Sequence, residues 1–357
     1  RGLGDVYKRQ ADSVSVETVD SLHESEESTP DRCVLAALIP TTSFVESVQA
    51  LAPNQKLVCD DLVLAYHGEL PSNDPALASY QSISIDQSAF VHIKHSWDIF
   101  LCNAHALAHD IPLLSKNRIS NAISDTNLTI VDGSIFIASQ VNMEGVTLNT
   151  TDGPIFIDEG ATIMEGSLLR GPLYVGKNSV IKMGTKVYAN CSFGPSVKVG
   201  GEINNVVFFG NSNKGHDGFL GNAVIGEWCN IGAGTDASNL KNDYGLVRVW
   251  DYASGNFAKT ELQFCGLLMG DHSQCAIQTT FNTATVVGIG CNLFGHGFPR
   301  QFIPSFSRGG AQGFAENRLD KVIETAKAMK KRRRVDFTSV DYDHLQDIFQ
   351  KTASFRN

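Results

Sequence analysis

From residue 157 every sixth position of the chain is apolar: Ile157, Ile163, Leu169, Val175, Ile181, Val187, Phe193 and Val199. Four positions further on in each hexad stand Ala161, Ser167, Leu173, Ser179, Thr185, Cys191, Val197 and Ile203, most of them small. An amphipathic helix repeats near 3.6 residues and a strand near 2. A period of six predicts instead a triangular coil, one short strand per side, stacked on its neighbours around a continuous apolar column. The pattern resumes at Phe219, Ile225 and Ile231, paired with Ala223, Cys229 and Thr235. It resumes again at Met269, Cys275, Phe281, Val287 and Leu293, paired with Ser273, Thr279, Thr285, Cys291 and Gly297. The chain is therefore expected to be mainly β, with a parallel β-helix over residues 119–300 and its clearest coils from about 135.

Around this repeat the pattern changes. The hexad lapses at 236–268, which predicts a protruding loop, with a hairpin near Val247 and Val249; loops that leave a rigid scaffold commonly carry function. Residues 96–118 read as a connector helix: Ser96 can cap it, and Trp97, Phe100, Leu101, Ala104, Leu107 and Ala108 recur at helical spacing ahead of Pro112. Residues 11–95 mix short apolar runs with acidic stretches, as in the remnant of an α/β domain; 58–67 suits a pair of short strands and 21–30 a solvated loop. The first ten residues resemble translated sequencing-adapter read-through, and the native N-terminus is expected to lie upstream. Residues 301–357 form a helical extension in which the basic run Lys330 to Arg334 reads as a solvated helix face, with a phosphate or coenzyme contact as the sharper alternative.

Bulk composition narrows the function. Of 357 residues 42% are hydrophobic and 19% charged, with a net charge of −9. Such acidity argues against nucleic acid or an anionic membrane as a partner, and no apolar run approaches a bilayer span. A cytoplasmic location follows as the expectation. The eight cysteines form no C-x-x-C pair; Cys191, Cys229, Cys275 and Cys291 fall on inward hexad positions, where a free thiol acts as a small hydrophobe.

Candidate chemistry concentrates in residues 212–235. A neutral imidazole suits removal of a proton from an attacking ammonium, and His216 stands between glycines in a turn that a ligand can approach closely. The stretch Gly215, His216, Phe219, Gly221, Ala223, Ile225, Gly226, then Asn230 to Thr235 and Asn239, resembles the acetyltransferase half of the bifunctional N-acetylglucosamine-1-phosphate uridyltransferase/glucosamine-1-phosphate acetyltransferase family. The coils at 270–295 resemble those that hold acetyl-CoA in that family. The WDIF segment at 97–100 resembles the helix that joins the family's two halves. The likeness is nearest to the Bacteroidetes-type variant and covers roughly 95–335.

The resemblance implies a left-handed β-helix, a homotrimer with sites between subunits, and acetyl-CoA as cosubstrate in nucleotide-sugar synthesis for the cell envelope. It implies His216 as general base, and Asn239 as a group that orients the amine or donates to the oxyanion. Lys214, Asp217, Phe219 and Lys241 would then contact substrate, and Gly232, Ala233, Gly234, Thr235, Gly270 and Ser273 would line the coenzyme path. No metal ligand set is expected in the β-helix: His216, His272 and His296 are spaced too far apart for a zinc site. Mg2+ and a nucleoside triphosphate enter only if the nucleotidyltransferase half is active. Two family features are absent, since Tyr188 and Asn204 stand where an arginine and a lysine hold the sugar phosphate; Lys214, Arg170, Lys182 and Lys241 are the nearby cations. No glycine-rich phosphate loop is recognisable in 11–95. The alternative is thus a sugar-1-phosphate nucleotidyltransferase whose β-helix only oligomerises or regulates.

Overall fold

The computed structural model describes residues 32–68, 77–131 and 133–356. The adapter-like stretch and the acidic loop at 21–30 lie outside the described residues. Contacts divide the chain between Lys94 and His95 into two units.

In the first unit, strands β1 (Arg32–Val34), β3 (Gln55–Cys59), β4 (Leu62–His67) and β5 (Gln81–Ser84) form one sheet in the order β1-β4-β3-β5. Strands β2 (Leu38–Pro40) and β6 (Phe90–His92) form a separate antiparallel pair. The pair of strands expected at 58–67 is the β3–β4 hairpin, whose turn places Asp60 at φ 49°. Helix α1 (Thr42–Gln49) is capped at its start by the Thr41 hydroxyl, which accepts the Phe44 N–H. At its end the Arg32 guanidinium donates to the carbonyls of Val48, Gln49 and Leu51. Phe44, Val48, Leu57, Leu64 and Phe90 make the core of this unit.

The second unit is the coil that the six-residue period predicts. Its first face stacks Leu128–Ile130, Thr147–Asn149, Leu168–Arg170, Lys186–Val187, then the start of Glu202–Phe208 and of Phe219–Ile225. The second face runs from Ile135–Ile137 through Ile155–Ile157, Leu173–Val175 and Cys191–Phe193 to Leu268–Met269 and Val286–Val287. The third is a ten-stranded ladder from Asn142–Met143 to the hairpin Ser307–Gly310/Gly313–Glu316. All eight residues of the hexad series from Ile157 to Val199 are buried, as are all eight of the series from Ala161 to Ile203.

The small residues have a specific use. At the corners the backbone turns inward, and buried hydroxyls satisfy it: Ser179 Oγ donates to Gly194 O at 2.8 Å and accepts the Val197 N–H at 3.0 Å. Ser212 and Ser273 repeat this arrangement on later coils. An alkyl group there would leave a buried carbonyl and amide unpaired, at a cost of about 1–3 kcal/mol each.

Several expectations are corrected. Phe219 is only half-buried and Leu220 takes the inward place, because 219–225 runs as one long strand across the corner. Gly297 is exposed rather than inward. The β-helix continues past 300, through Phe302–Ile303 and the closing hairpin. Helix α2 (Asp98–Ser115) is not capped by Ser96; Trp97 is its N-cap, and Asp98 accepts the His95 N–H at 2.8 Å. Leu101 and Ala108 face outward, while Phe100, Asn103, Leu107 and Ile111 are buried. The hairpin expected in the insertion is Arg248–Asp251 paired with Asn256–Lys259, and Val247 and Val249 pack with Trp97 and Phe100.

Helices α3 (Leu319–Arg332) and α4 (Ser339–Lys351) follow the coil. The basic run is a solvated face only in part: Lys331, Arg332 and Arg334 are exposed, but Lys330 and Arg333 are not. Lys330 is buried against Asp341, and Arg333 donates to Ser196 O and Asn213 Oδ1, both at 2.8 Å. These contacts dock the end of α3 on the third face.

Candidate functional site

The coil repeat shortens just before the histidine turn: Lys186 pairs with Glu202, whereas Leu168 pairs with Lys186 in the coil before. Between the third and first faces, residues 200–202 separate inward Val199 from inward Ile203, whereas 215–219 separate Lys214 from Leu220 in the next coil. The longer corner must ride over the shorter one. Backbone packs on backbone there: a Cβ on Gly200 would lie 2.8 Å from the Gly215 carbonyl carbon, and one on Gly218 (φ +120°) 2.1 Å from Thr235 O. Only glycine fits such an approach. His216 and Asp217 are thereby pushed into solvent, and the side chains of both are exposed.

Lys214 does not sit beside them. It occupies an inward position of the third face, in register with Val199, and is 1% exposed. Its Nζ donates to His216 O at 2.9 Å and Gly200 O at 3.3 Å. Burial lowers its pKa from 10.5 to about 8, opposed by Asp236 and Asp217. An ammonium enclosed in the coil and committed to two carbonyls is not placed to grip a substrate phosphate from solvent. Lys241 is also engaged, with Asp243 at 3.1 Å, and Arg170 pairs with Asp152 at 2.9 Å. Lys182 reaches the turn: its Cε lies 4.0 Å from where a Gly215 Cβ would stand.

Phe219 and Asn239 are brought together. Both crowd the space above Gly221, where a Cβ would meet the Phe219 ring at 2.6 Å and Asn239 Nδ2 at 2.7 Å. Asn239 Nδ2 donates to Asn222 Oδ1 at 2.8 Å, and Asp236 Oδ1 accepts the Phe219 N–H at 2.7 Å. Asn222 and Asp236 were not anticipated from the motif. Their signal is the coil register: Ile203 pairs with Leu220 and Leu220 with Ala237, so Asn205, Asn222 and Asn239 stack at one corner. Asn205 and Asn222 both adopt positive φ there, which asparagine tolerates. Asn205 Oδ1 is buried without a partner among the described residues.

The six residues expected along the coenzyme path fall on two different edges. Gly232, Ala233, Gly234 and Thr235 form the third-to-first corner that follows the histidine turn, and Gly234 N–H donates to Asp217 O at 3.0 Å. Thr235 points inward, with Oγ1 on Ala276 O. Gly270 and Ser273 belong to the second-to-third corner, and Ser273 is buried with its hydroxyl on Gly288 O at 2.6 Å. Neither the Thr235 nor the Ser273 hydroxyl is presented to a ligand. The inward thiols are buried and free, and burial pushes the Cys191 thiol up to about 12 and that of Cys291 to about 11.

His272 lies on the second-to-third corner with its ring parallel to Trp228, and burial beside Lys330 lowers its pKa to about 4. Among the described residues no three His, Cys, Asp or Glu side chains group to hold a metal ion. No helix among them is long and apolar enough to cross a membrane.

Comparisons with known proteins bear on both units. Residues 10–119 match the sugar nucleotidyl transferase family model. This match takes in the segment where no phosphate loop was recognised and extends through helix α2. "Bifunctional protein GlmU" of Methanococcus maripaludis is 27% identical over 197 residues, 55% of this chain and 41% of its own. The "Bifunctional sugar-1-phosphate nucleotidylyltransferase/acetyltransferase" of Sulfurisphaera tokodaii is 27% identical over 178 residues, 48% of this chain and 42% of its own. The Methanococcus vannielii GlmU is 27% identical across 65% of this chain and 50% of its own. The chain thus spans half or less of the length of these relatives, of which the Sulfurisphaera protein is a transferase by name. Among solved structures, the polySia-specific acetyltransferase NeuO is similar at 13% identity, covering 59% of this chain and 99% of its own (TM-score 0.36). An Arabidopsis UDP-N-acetylglucosamine acyltransferase is similar at 14% identity, covering 66% and 94% (TM-score 0.22).

Proposed function

We propose that the protein is an acetyl-CoA-dependent N-acetyltransferase acting on an amino-sugar 1-phosphate, working as a homotrimer alongside a sugar nucleotidyltransferase unit. The observation that carries this reading is the exposed His216, held on a corner that glycines shape, and followed by a strand on which Phe219 and Asn239 meet over Gly221. In the reaction the sugar amine attacks the thioester carbonyl, a C–N bond forms, the C–S bond breaks, and coenzyme A leaves as a thiol. The His216 imidazole takes the proton that the nitrogen loses. Asn239, oriented by Asn222 beside Phe219, offers an amide to the sugar or to the developing oxyanion. The carboxylates of Asp217 and Asp236 favour an ammonium-bearing substrate here, and Lys182 is the cation beside the histidine turn. Exposed Met183, Ile277, Phe294 and Phe298 lie along or next to this edge, an apolar surface suited to cover by a second copy.

The test is acetyl transfer from acetyl-CoA to glucosamine 1-phosphate, followed as free thiol release. His216→Ala is expected to lower kcat about 10²–10⁴-fold with little change in melting temperature. Unchanged turnover removes His216 from the mechanism. The match at 10–119 and the Tyr188 and Asn204 replacements favour a second reading, a sugar-1-phosphate nucleotidyltransferase whose β-helix only assembles the protein. Nucleotidyl transfer without coenzyme A binding by calorimetry would support it.

A further inference from the structure

A lysine in the interior of a coil otherwise lined by Ile163, Ile181, Val199, Ile231, Cys275 and Leu293 calls for a reason. Each residue in that column packs on the one above and below, and an alkyl side chain at 214 would continue it. The reason is local. Where the longer corner rides over the shorter one, the carbonyls of Gly200 and His216 both face the interior, and Lys214 Nζ donates to the two of them. Buried carbonyls left without donors are costly, and a lysine stem is long enough to reach from the column to the corner.

One of the two carbonyls belongs to His216 itself. We infer that Lys214 is a positioning residue: through the His216 carbonyl it pins the 215–218 turn from inside the coil and so sets where the imidazole stands outside it. The inference rests on the reading of His216 as the general base, and it adds the device that holds that base in place. The turn has two further ties, the Gly234 N–H on Asp217 O and the Glu202 N–H on Gly218 O, but these are backbone bonds to the coils on either side. The groups whose charge acts on the ammonium are Asp236 and Asp217, both exposed on the corners outside, and the buried Cys275 thiol. The two carboxylates favour its charged form and burial opposes it, so the amine remains a donor in either state.

The experiment compares wild type with Lys214→Met, which keeps an unbranched apolar side chain in the column. Amide hydrogen exchange at Gly234 and across 215–218 is expected to quicken at least about tenfold by local opening, with amides of the coils at 157–199 unchanged. The kcat for acetyl transfer is expected to fall about 10- to 100-fold through misplacement of the base, with KM for acetyl-CoA within about twofold. Unchanged exchange at Gly234 in folded Lys214→Met overturns the inference. Faster exchange in a protein whose wild type transfers no acetyl group upholds the pin and sinks the acetyltransferase reading instead. Should the variant not fold, lysine labelling of the native wild type by acetic anhydride decides: Lys214 is expected to stay unlabelled while Lys182 reacts, and prompt labelling of Lys214 overturns the inference.

Discussion

The coils from Ile157 to Val199 and those from Val199 to Ala237 share one architecture and differ in regularity. In the first group every side keeps the six-residue step, and every inward residue is apolar or a hydroxyl serving a corner. In the second group the corner at 200–202 is short, two strands run straight across a corner, a lysine enters the interior, and an asparagine column forms. His216, Phe219 and Asn239 all stand there. The difference teaches that a stacked coil is chemically bland while its period holds. Where neighbouring coils differ in length, backbone groups lose their regular partners, and side chains recruited to satisfy them also shape a surface.

The largest expected effect tests whether the interior lysine depends on the short corner. Ile181 lies between Ile163 and Val199 in the regular part, where the Lys182 carbonyl at the corner already accepts the Ser167 and Thr185 hydroxyls. Ile181→Lys is therefore expected to destabilise by about 5 kcal/mol, enough to abolish folding in a urea titration. Near-native stability would mean that Lys214 needs no special site. A second contrast uses glycine. Gly184 has φ +69° with nothing within 4 Å of a Cβ, whereas Gly218 has φ +120° with Thr235 O at 2.1 Å. Gly184→Ala is expected to cost about 1 kcal/mol, and Gly218→Ala about 3 kcal/mol, together with acetyl transfer. Equal costs by chemical denaturation would erase the distinction between the two regions.

The smallest effect is a pH dependence. The folded state lowers the Lys214 pKa to about 8 from 10.5, so between those values the unfolded chain holds the extra proton and stability rises with pH. The buried thiols act in the opposite sense: Cys191 is raised to about 12 and Cys291 to about 11 from 9.0, so they reduce stability as pH rises above 9. The difference in unfolding free energy between wild type and Lys214→Met cancels the thiols. It is expected to shift in favour of wild type from pH 8 to 10.5 and stay flat below 7. A flat difference throughout would place Lys214 outside the coil.

Much of this was legible in the residues, for a physical reason. A coil whose strands pair only with the coils above and below repeats its environment, so Ile157 to Val199 and Ala161 to Ile203 announce themselves by spacing. The hairpin at Val247 and Val249 and the strand pair at 58–67 also follow from local pattern. Phe219 misled because it keeps the hexad spacing while the strand crosses a corner and shifts the inward place to Leu220. That the Thr235 and Ser273 hydroxyls serve the interior was not legible, because a motif records which residues recur, not which way a hydroxyl turns. Within the run Lys330 to Arg334, Lys330 and Arg333 looked solvated because nothing in it announces Asp341, Ser196 or Asn213 as partners.

The sequence by itself determined the six-residue coil, its interruption at 236–268 and the histidine between glycines, since each depends on neighbours close along the chain. Only the tertiary structure decided which way Lys214 points, which asparagines stack on Asn239, and that the expected coenzyme residues lie on two edges. Those outcomes depend on the register of one coil over the next. That register turns on the difference in length between two corners, and no single corner contains it.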